Sequence, residues 1–211
     1  MIDKERFFAA ISEGRMDDVK RLTQEALDSN CPAADVLKQG LIPSMEEIGI
    51  KFKNSEIYLP EVLIAARAMH AGLGVLKPIL SKSDNVMTGK VVIGTVKGDL
   101  HDIGKNLVVM MLEGGGFEVI DLGIDIPGEA FIEAIKRHQP QAVGMSALLT
   151  TTMQEMKTIL RGIEAAGLRS RVKVVIGGAP TSEAFAREIG ADGYAPDAGS
   201  AVGLVKSLIS K

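Results

Sequence analysis

Cysteine and histidine are scarce in this sequence of 211 residues. Cys31 is the only cysteine, which excludes an internal disulfide and a cysteine cluster for zinc or iron–sulfur. The three histidines are His70, His101 and His138. Any metal must therefore be held by histidine, aspartate or glutamate, or must arrive inside a cofactor.

Long apolar runs and a strong charge of one sign are also missing. No run approaches the ~18 apolar residues of a membrane span. The N-terminal segment MIDKERFFAAISEGR carries charges throughout and lacks the apolar stretch of a signal peptide, which predicts a cytoplasmic protein. With 24 basic and 27 acidic residues the net charge is −3, which argues against nucleic acid or an anionic membrane as the main partner.

Glycine is scarce only in the first part of the chain. Of the 23 glycines, 5 lie in residues 1–88 and 18 lie in residues 89–211. Four segments of the glycine-poor part carry apolar residues at helical spacing: 2–14, 16–30, 33–54 and 59–81. Pro43 is expected to kink or split the third segment. The pattern predicts a four-helix bundle over 1–88, with a linker at 81–89.

From Lys90 onward, short apolar runs alternate with amphipathic segments. Five runs are predicted to be strands, at 90–96, 117–123, 142–148, 173–178 and 193–195. Helices are predicted at about 104–113, 127–138, 152–166, 181–190 and 199–210. Near-continuous apolar strands alternating with helices are typical of a parallel sheet covered on both faces. We therefore expect 89–211 to form a flavodoxin-like (Rossmann-like) α/β domain with strand order 2-1-3-4-5, which binds its ligand at the carboxyl ends of the strands.

The loop after the first strand carries the clearest candidate for ligand binding. Asp99 and His101 lie two residues apart in it. A histidine that binds a metal usually donates its other ring N–H to a carboxylate, so this spacing predicts a ligand and its supporting acid. A single histidine cannot hold a bare metal tightly, but it can supply one axial ligand to a metal already held in a macrocycle.

Small and polar residues accompany this pair. Gly104, and Gly177 with Gly178 after the fourth strand, would let a bulky ligand approach the backbone closely. The segment after the third strand adds three hydroxyls, from Ser146, Thr150 and Thr152. The ordinary alternative is a histidine that is only solvated. The joint placement of the pair, the hydroxyls and the glycines favours a ligand site.

Three short motifs in these loops resemble the signature of cobalamin-binding domains. They are D-x-H-x-x-G at Asp99, His101 and Gly104, S-x-L at Ser146 and Leu148, and G-G at Gly177 and Gly178. The segments VKGDLHDIGKNLV and GYAPDAGSAV and the helical part are similar to corrinoid proteins of methyltransferase systems and to the cobalamin module of methionine synthase. The resemblance covers nearly the whole chain, and it implies cobalamin, with its cobalt, as the cofactor.

The resemblance implies base-off, His-on binding, in which the benzimidazole of the cofactor leaves cobalt and His101 becomes the lower axial ligand. Thr152 matches the hydroxyl that completes a His–Asp–hydroxyl chain with Asp99. The other loop residues Gly98, Leu100 and Asp102 belong to the expected binding set. The nucleotide tail is expected in a slot lined by Ser146, Leu148, Gly177 and Gly178, with Thr150 near the corrin or the tail, and Asp197 and Ala198 at the tail near the fifth strand.

The helical part resembles the cap of the same family. Phe52 and Leu59 match residues over the upper face of the corrin, where an apolar lid keeps water from a methyl–cobalt bond. Their helical spacing alone would make both of them bundle core. The cap must move aside for each partner, so a hinge is expected near 81–89.

The resemblance further implies a methyl carrier that is not catalytic alone. A substrate-specific methyltransferase would load the methyl group, and a second methyltransferase would pass it to an acceptor. Methylamines, methoxylated aromatics and methanol are the expected types of substrate. A reductive activase is a further expected partner, whereas nucleic acid and membrane are not expected partners.

Three alternatives are weighed against this interpretation. A cobalamin-dependent sensor or regulator pairs the same two parts with an output element, and no basic recognition helix is evident in this sequence. The small subunit of a mutase lacks the helical cap. A receiver-type signalling domain needs a phosphoacceptor aspartate at the end of the third strand, where Ser146 stands.

Overall fold

The computed structural model describes residues 2–80 and 87–210. Residues 81–86, which make up most of the expected linker and hinge, lie outside the described part. Contacts within the chain divide it into two units. One comprises Met1–Thr88 with Glu113–Gly116, and the other comprises Gly89–Leu112 with Phe117–Lys211.

The first unit is helical. Its helices are α1 (Lys4–Ser12), α2 (Met16–Asp28), α3 (Ala33–Val36), α4 (Ile42–Lys53) and α5 (Leu59–Leu80). The helix ends follow signals in the sequence. The Asp3 carboxylate accepts a hydrogen bond from the N–H of Arg6 at 3.1 Å at the start of α1, and Gly14 follows this helix with φ = +70°.

The expected kink at Pro43 takes the form of a π-helical turn. Residues Leu37–Leu41 form this turn between α3 and α4, and the N–H of Ile42 donates to the carbonyl of Leu37. Pro43 has no N–H to donate inside a helix, and the wide turn changes the hydrogen-bond register just ahead of it. The third segment is therefore continuous helix with one wide turn.

Helix α5 is long and apolar enough to cross a membrane by length and composition alone, with a mean hydropathy of 1.3 over its most apolar window. Glu61, Arg67 and Lys77 interrupt its apolar sequence. The buried core helix of a soluble protein can have the same length and composition. Val62, Ala65 and Met69 of this helix are fully buried.

The second unit is a parallel sheet whose strands alternate with helices. The strands are β1 (Gly89–Thr95), β2 (Phe117–Asp121), β3 (Ala142–Ser146), β4 (Lys173–Gly177) and β5 (Gly193–Ala195). The helices are α6 (Ile103–Gly114), α7 (Gly128–His138), α8 (Gln154–Ala165), α9 (Glu183–Ile189) and α10 (Ala198–Ile209). The strand order is β2-β1-β3-β4-β5 with every pair parallel, which confirms the predicted flavodoxin-like order.

The core of this unit lies between the sheet and its helices. Its fully buried members include Val92 and Val143 from the sheet and Phe131 and Ile159 from the helices. The first four strands end one or two residues earlier than predicted, and α8 begins at Gln154 instead of 152. The residues outside the strands form the loops at the carboxyl edge, which carry the candidate site.

Candidate functional site

The loop after β1 leaves the sheet through a tight turn. The N–H of Asp99 donates to the carbonyl of Val96 at 3.2 Å, and Gly98 adopts φ = +80°, where an L side chain would be strained. The hydroxyl of Thr95, which is fully buried at the end of β1, donates to the carbonyl of His101 at 3.0 Å. Both ends of the loop are therefore fixed to the sheet.

The Asp99 carboxylate is the centre of the site. Its side chain is fully buried and accepts four hydrogen bonds. One oxygen accepts from the N–H of His101 at 3.1 Å and bonds the Nδ1 atom of the His101 ring at 2.7 Å. The other oxygen accepts from the N–H of Leu148 at 2.7 Å and from the hydroxyl of Thr152 at 2.6 Å. The carboxylate thus joins the loops after β1 and β3.

These partners keep Asp99 ionised. Burial by itself would raise the pKa of the Asp99 carboxyl. The hydrogen bonds from Thr152, Leu148 and His101 act in the opposite direction, and together they hold the pKa of Asp99 well below its ordinary value of 3.8. A negative charge therefore faces Nδ1 of His101 near neutral pH.

His101 is held at one nitrogen and open at the other. Its side chain is 52% exposed, and Nε2 has no hydrogen-bond partner among the residues that the structure describes. The ionised Asp99 carboxylate accepts a hydrogen bond from Nδ1–H, so when the ring is neutral its lone pair lies on Nε2. This is the tautomer and the orientation that a metal-binding histidine needs.

Apolar side chains flank the exposed histidine. Leu100 in the same loop and Ile103 at the start of α6 are 68% and 72% exposed, and Leu148 and Leu149 after β3 are also exposed. Ile103 and Leu149 were missed by the sequence analysis. Large apolar residues next to a loop at a sheet edge, where polar residues are usual, were the available signal in the sequence. A cluster of this kind around a histidine fits a large, largely apolar group.

The three motif glycines have different surroundings. A Cβ on Gly178, which has φ = +117°, would lie 1.8 Å from the carbonyl oxygen of Ala147, and a Cβ on Gly177 would lie 3.1 Å from the carbonyl oxygen of Ala195. The glycine pair therefore allows close approach of protein backbones, and the expected approach of a ligand to the same pair stays a prediction. A Cβ on Gly104 would meet nothing within 4 Å, so this position faces open space, as a ligand-facing glycine should.

The other expected residues lie around this centre or away from it. Ser146 ends β3, where its carbonyl accepts from the N–H of Val96 at 3.0 Å, and Thr150 is exposed. Asp102 accepts a hydrogen bond from the side chain of Asn106 at 3.1 Å. Asp197 and Ala198 lie after β5. Phe52 and Leu59 lie in the helical unit, and both are half-buried.

Asp197 has a structural duty in addition to its expected role. Its carboxylate caps α10 by accepting hydrogen bonds from the N–H of Ser200 at 2.7 Å and from the hydroxyl of Ser200 at 2.9 Å. Asp197 and Ala198 do not contact the His101 loop through any hydrogen bond between described residues. A role at the cofactor tail stays a prediction for this pair.

An ion pair between a buried lysine and a partly exposed aspartate lies next to the motif, and it was not predicted from the sequence. The side chain of Lys105 is 1% exposed, and its ammonium group contacts the Asp121 carboxylate at 2.5 Å and the side-chain oxygen of Asn106 at 2.6 Å. A lysine in the first turn of a helix is disfavoured by the helix dipole, which was the available signal. The pair ties the start of α6, directly after His101, to the end of β2.

The described residues contain no group of three or more histidine, cysteine, aspartate or glutamate side chains that could hold a metal ion. His101 offers one open ring nitrogen beside the fully buried Asp99 carboxylate. The donor set therefore suits a metal that is already held by another ligand, with one position left for Nε2.

Comparison with known proteins identifies the family. The family model described as a B12 binding domain matches residues 89–203, and a second B12 binding domain matches residues 4–77. A corrinoid protein of Desulfitobacterium hafniense strain Y51 is 42% identical over 205 residues, covering 96% of this chain and 95% of that protein. The trimethylamine corrinoid protein of Methanosarcina barkeri is 40% identical over 216 residues and is matched over the full length of both chains.

A solved structure agrees with the sequence matches. The methanol:cobalamin methyltransferase complex of Methanosarcina barkeri contains a chain that superposes with a TM-score of 0.86 at 29% identity, over 97% of this chain and 78% of that one. The family models, the relatives and the geometry at His101 lead to the same result: this chain belongs to the family of corrinoid proteins with B12 binding domains.

Proposed function

We propose that this protein carries a methyl group between two methyltransferases on a corrinoid that it binds base-off, with Nε2 of His101 as the lower axial ligand of cobalt. The observation that carries the proposal is the exposed His101 ring, fixed at Nδ1 by the buried Asp99 carboxylate. When the corrinoid is bound, its cobalt supplies the chemistry of accepting and releasing the methyl group.

The residues around His101 fit a corrinoid. Gly104 faces open space and leaves room for a macrocycle against the start of α6. Leu100, Ile103 and Leu148 offer exposed apolar contacts to a ring placed over the histidine. We propose that Gly98 and Asp102 border the same ring, and that the nucleotide tail follows the strand ends past Ser146, Leu148, Thr150, Gly177, Gly178, Asp197 and Ala198.

Asp99 and Thr152 set the properties of the axial ligand. Asp99 holds the proton on Nδ1 of His101, which keeps the ring in one tautomer and makes Nε2 a stronger donor. Thr152 donates to the opposite carboxylate oxygen at 2.6 Å and limits how far the carboxylate can take that proton. The chain of three groups therefore tunes ligand strength without touching the metal.

The family supports a methyl-carrier role and a methyltransferase partner. The similar proteins include a trimethylamine corrinoid protein and a chain of a methanol:cobalamin methyltransferase complex. We propose a methylamine-type substrate for the first methyltransferase, with methanol and methoxylated aromatics as alternatives, and a second methyltransferase for the acceptor. A reductive activase in the cytoplasm completes the proposed set of partners.

The axial ligand can be tested by electron paramagnetic resonance. The protein is produced with nitrogen-15 throughout, reconstituted with unlabelled cob(II)alamin and compared with unlabelled protein. Coordination by His101 changes the superhyperfine pattern from a triplet to a doublet, whereas coordination by the cofactor's own base leaves a triplet. A triplet in labelled wild type, or a doublet that persists in His101→Ala, contradicts the assignment.

The carrier role has a separate test. Protein loaded with methylcobalamin is mixed with candidate methyltransferases and their acceptors, and we expect the methyl group to leave the protein only when a cognate pair is present. Failure with every candidate pair, together with a change in oligomeric state on illumination, would favour the sensor alternative.

The cap assignment rests on the family resemblance. We propose that 1–88 forms a cap for the corrinoid bound by 89–211, with Phe52 and Leu59 over its upper face. Phe52→Ala should then speed photolysis of bound methylcobalamin, because less apolar surface shields the bond. An unchanged rate removes Phe52 from the cap.

A further inference from the structure

Asp125, in the loop after β2, has a backbone conformation that its own loop does not explain. Its φ is +54°, in the left-handed region that favours glycine. Two residues earlier the same loop uses a glycine for this purpose, Gly123 with φ = +93°. Aspartate is tolerated at such positions when its side chain bonds the local backbone. No local bond of this kind is recorded for Asp125 among the described residues.

The side chain of Asp125 bonds a distant loop. Its carboxylate accepts from the N–H of Gly98 at 2.7 Å, and its own N–H donates to the carbonyl of Asp99 at 3.1 Å. These two hydrogen bonds hold the N–H of Gly98 and the carbonyl of Asp99, which lie on either side of the Asp99 Cα atom. The left-handed conformation is therefore stabilised by contact with the loop that carries Asp99 and His101.

The loop after β2 is itself firmly placed. The N–H of Thr95 donates to the carbonyl of Gly123, and the N–H of Ile126 donates to the carbonyl of Thr95, both at 3.0 Å. Asp125 thus stands on a segment paired with the end of β1. Through Asp125, the backbone of Asp99 is therefore fixed relative to the sheet.

We propose that Asp125 is a positioning residue for the corrinoid site: it holds the backbone of Gly98 and Asp99 so that the Asp99 carboxylate keeps His101 oriented. The inference rests on the proposed corrinoid binding through His101. This role requires a side chain with an oxygen acceptor at position 125. A glycine would adopt the left-handed conformation without strain, but it could not accept the hydrogen bond from Gly98.

Three variants separate positioning from backbone relief. Asp125→Gly removes the acceptor and relaxes the backbone, whereas Asp125→Asn keeps an oxygen and tolerates the left-handed conformation. Gln139→Gly is the matched control, because Gln139 has φ = +48° at the end of α7 and makes no hydrogen bond to the β1 loop. Each full-length variant is titrated with cob(II)alamin, and the corrinoid-free chain is examined by hydrogen exchange over 97–104.

We expect Asp125→Gly to raise the dissociation constant for cob(II)alamin about tenfold, the lower end of effects for residues behind a metal ligand. Hydrogen exchange at Gly98 should become faster in the same variant. Asp125→Asn and Gln139→Gly should stay close to wild type in both measurements.

Several results would overturn the inference. An unchanged dissociation constant in Asp125→Gly does so, and so does an equal loss of affinity in all three variants. Weaker binding without faster exchange would mean that Asp125 contacts the corrinoid directly. A nitrogen-15 experiment that shows no histidine coordination in wild type would refute the proposed axial ligand, while the affinities and exchange rates still decide the role of Asp125.

Discussion

The hydroxyl of Thr152 offers a direct test of the buried charge at the site. Thr152 is 7% exposed and donates to the Asp99 carboxylate at 2.6 Å. Thr152→Val keeps the shape of the side chain and leaves that oxygen with the N–H of Leu148 alone. A hydrogen bond to a charged group contributes about 1.5–3 kcal/mol, so we expect the free energy of unfolding at pH 7 to fall by about 2 kcal/mol.

The loss should depend on pH with a defined sign. The pKa of Asp99 is lowered in the folded state, so its stabilising contribution is present above the ordinary value of 3.8 and is lost as the pH falls toward the folded pKa. The difference between wild type and Thr152→Val should therefore be largest near neutral pH. It should shrink in acid, because a protonated Asp99 no longer depends on this donor.

Urea unfolding of the corrinoid-free protein at pH 7, and at successive pH values below 3.8 down to the lowest pH at which the protein stays folded, measures both effects. Thr152→Ser is the matched control, because it keeps the hydroxyl and loses only a methyl group. Equal unfolding midpoints for the serine and valine variants at pH 7 would refute the hydrogen bond. A difference that does not change with pH would mean that packing, not the carboxylate charge, explains the loss.

Three further predictions concern the same edge of the sheet. Gly178→Ala should lower the free energy of unfolding by more than about 3 kcal/mol, seen as a lower urea midpoint, because its Cβ would overlap the carbonyl of Ala147. Gly104→Ala should leave the urea midpoint of the corrinoid-free protein unchanged or higher while weakening cob(II)alamin binding, because its Cβ enters open space. Asp121→Asn should cost about 1.5 kcal/mol, the lower end for a hydrogen bond to a charged group, because the Asp121 side chain is 34% exposed and the buried Lys105 keeps its contact with Asn106; adding Lys105→Met should restore much of that loss in urea unfolding.

The order of the sheet was predictable because its physical cause is local. Runs such as Val91–Ile93 are apolar on both faces, as strands of a covered parallel sheet must be, and the segments between them alternate at helical spacing. The strand ends were less predictable. Leu148 continues an apolar run, but its N–H serves Asp99 instead of a neighbouring strand, which no local pattern reveals.

The candidate site was predictable only in part for the same reason. The spacing of Asp99 and His101 places the pair in one loop, so sequence alone indicated their contact. Thr152 lies 53 residues from its partner Asp99, and Asp125 lies 27 residues from its partner Gly98. Only folding brings these residues together. Thr152 was predictable only through the family resemblance, and no comparable signal in the sequence indicated Asp125.

The four hydrogen bonds to Asp99 serve folding and ligand binding at once. A buried carboxylate must be satisfied in the folded protein whether or not a corrinoid is present. The groups that satisfy it come from the loops after β1 and β3, so folding alone orients His101 before any ligand arrives. Binding then pays little of the cost of ordering the ligand nitrogen. Without a corrinoid, the apolar side chains of Leu100 and Ile103 remain exposed to water. A bound ring would cover them, and removing this surface from water would provide part of the driving force for binding.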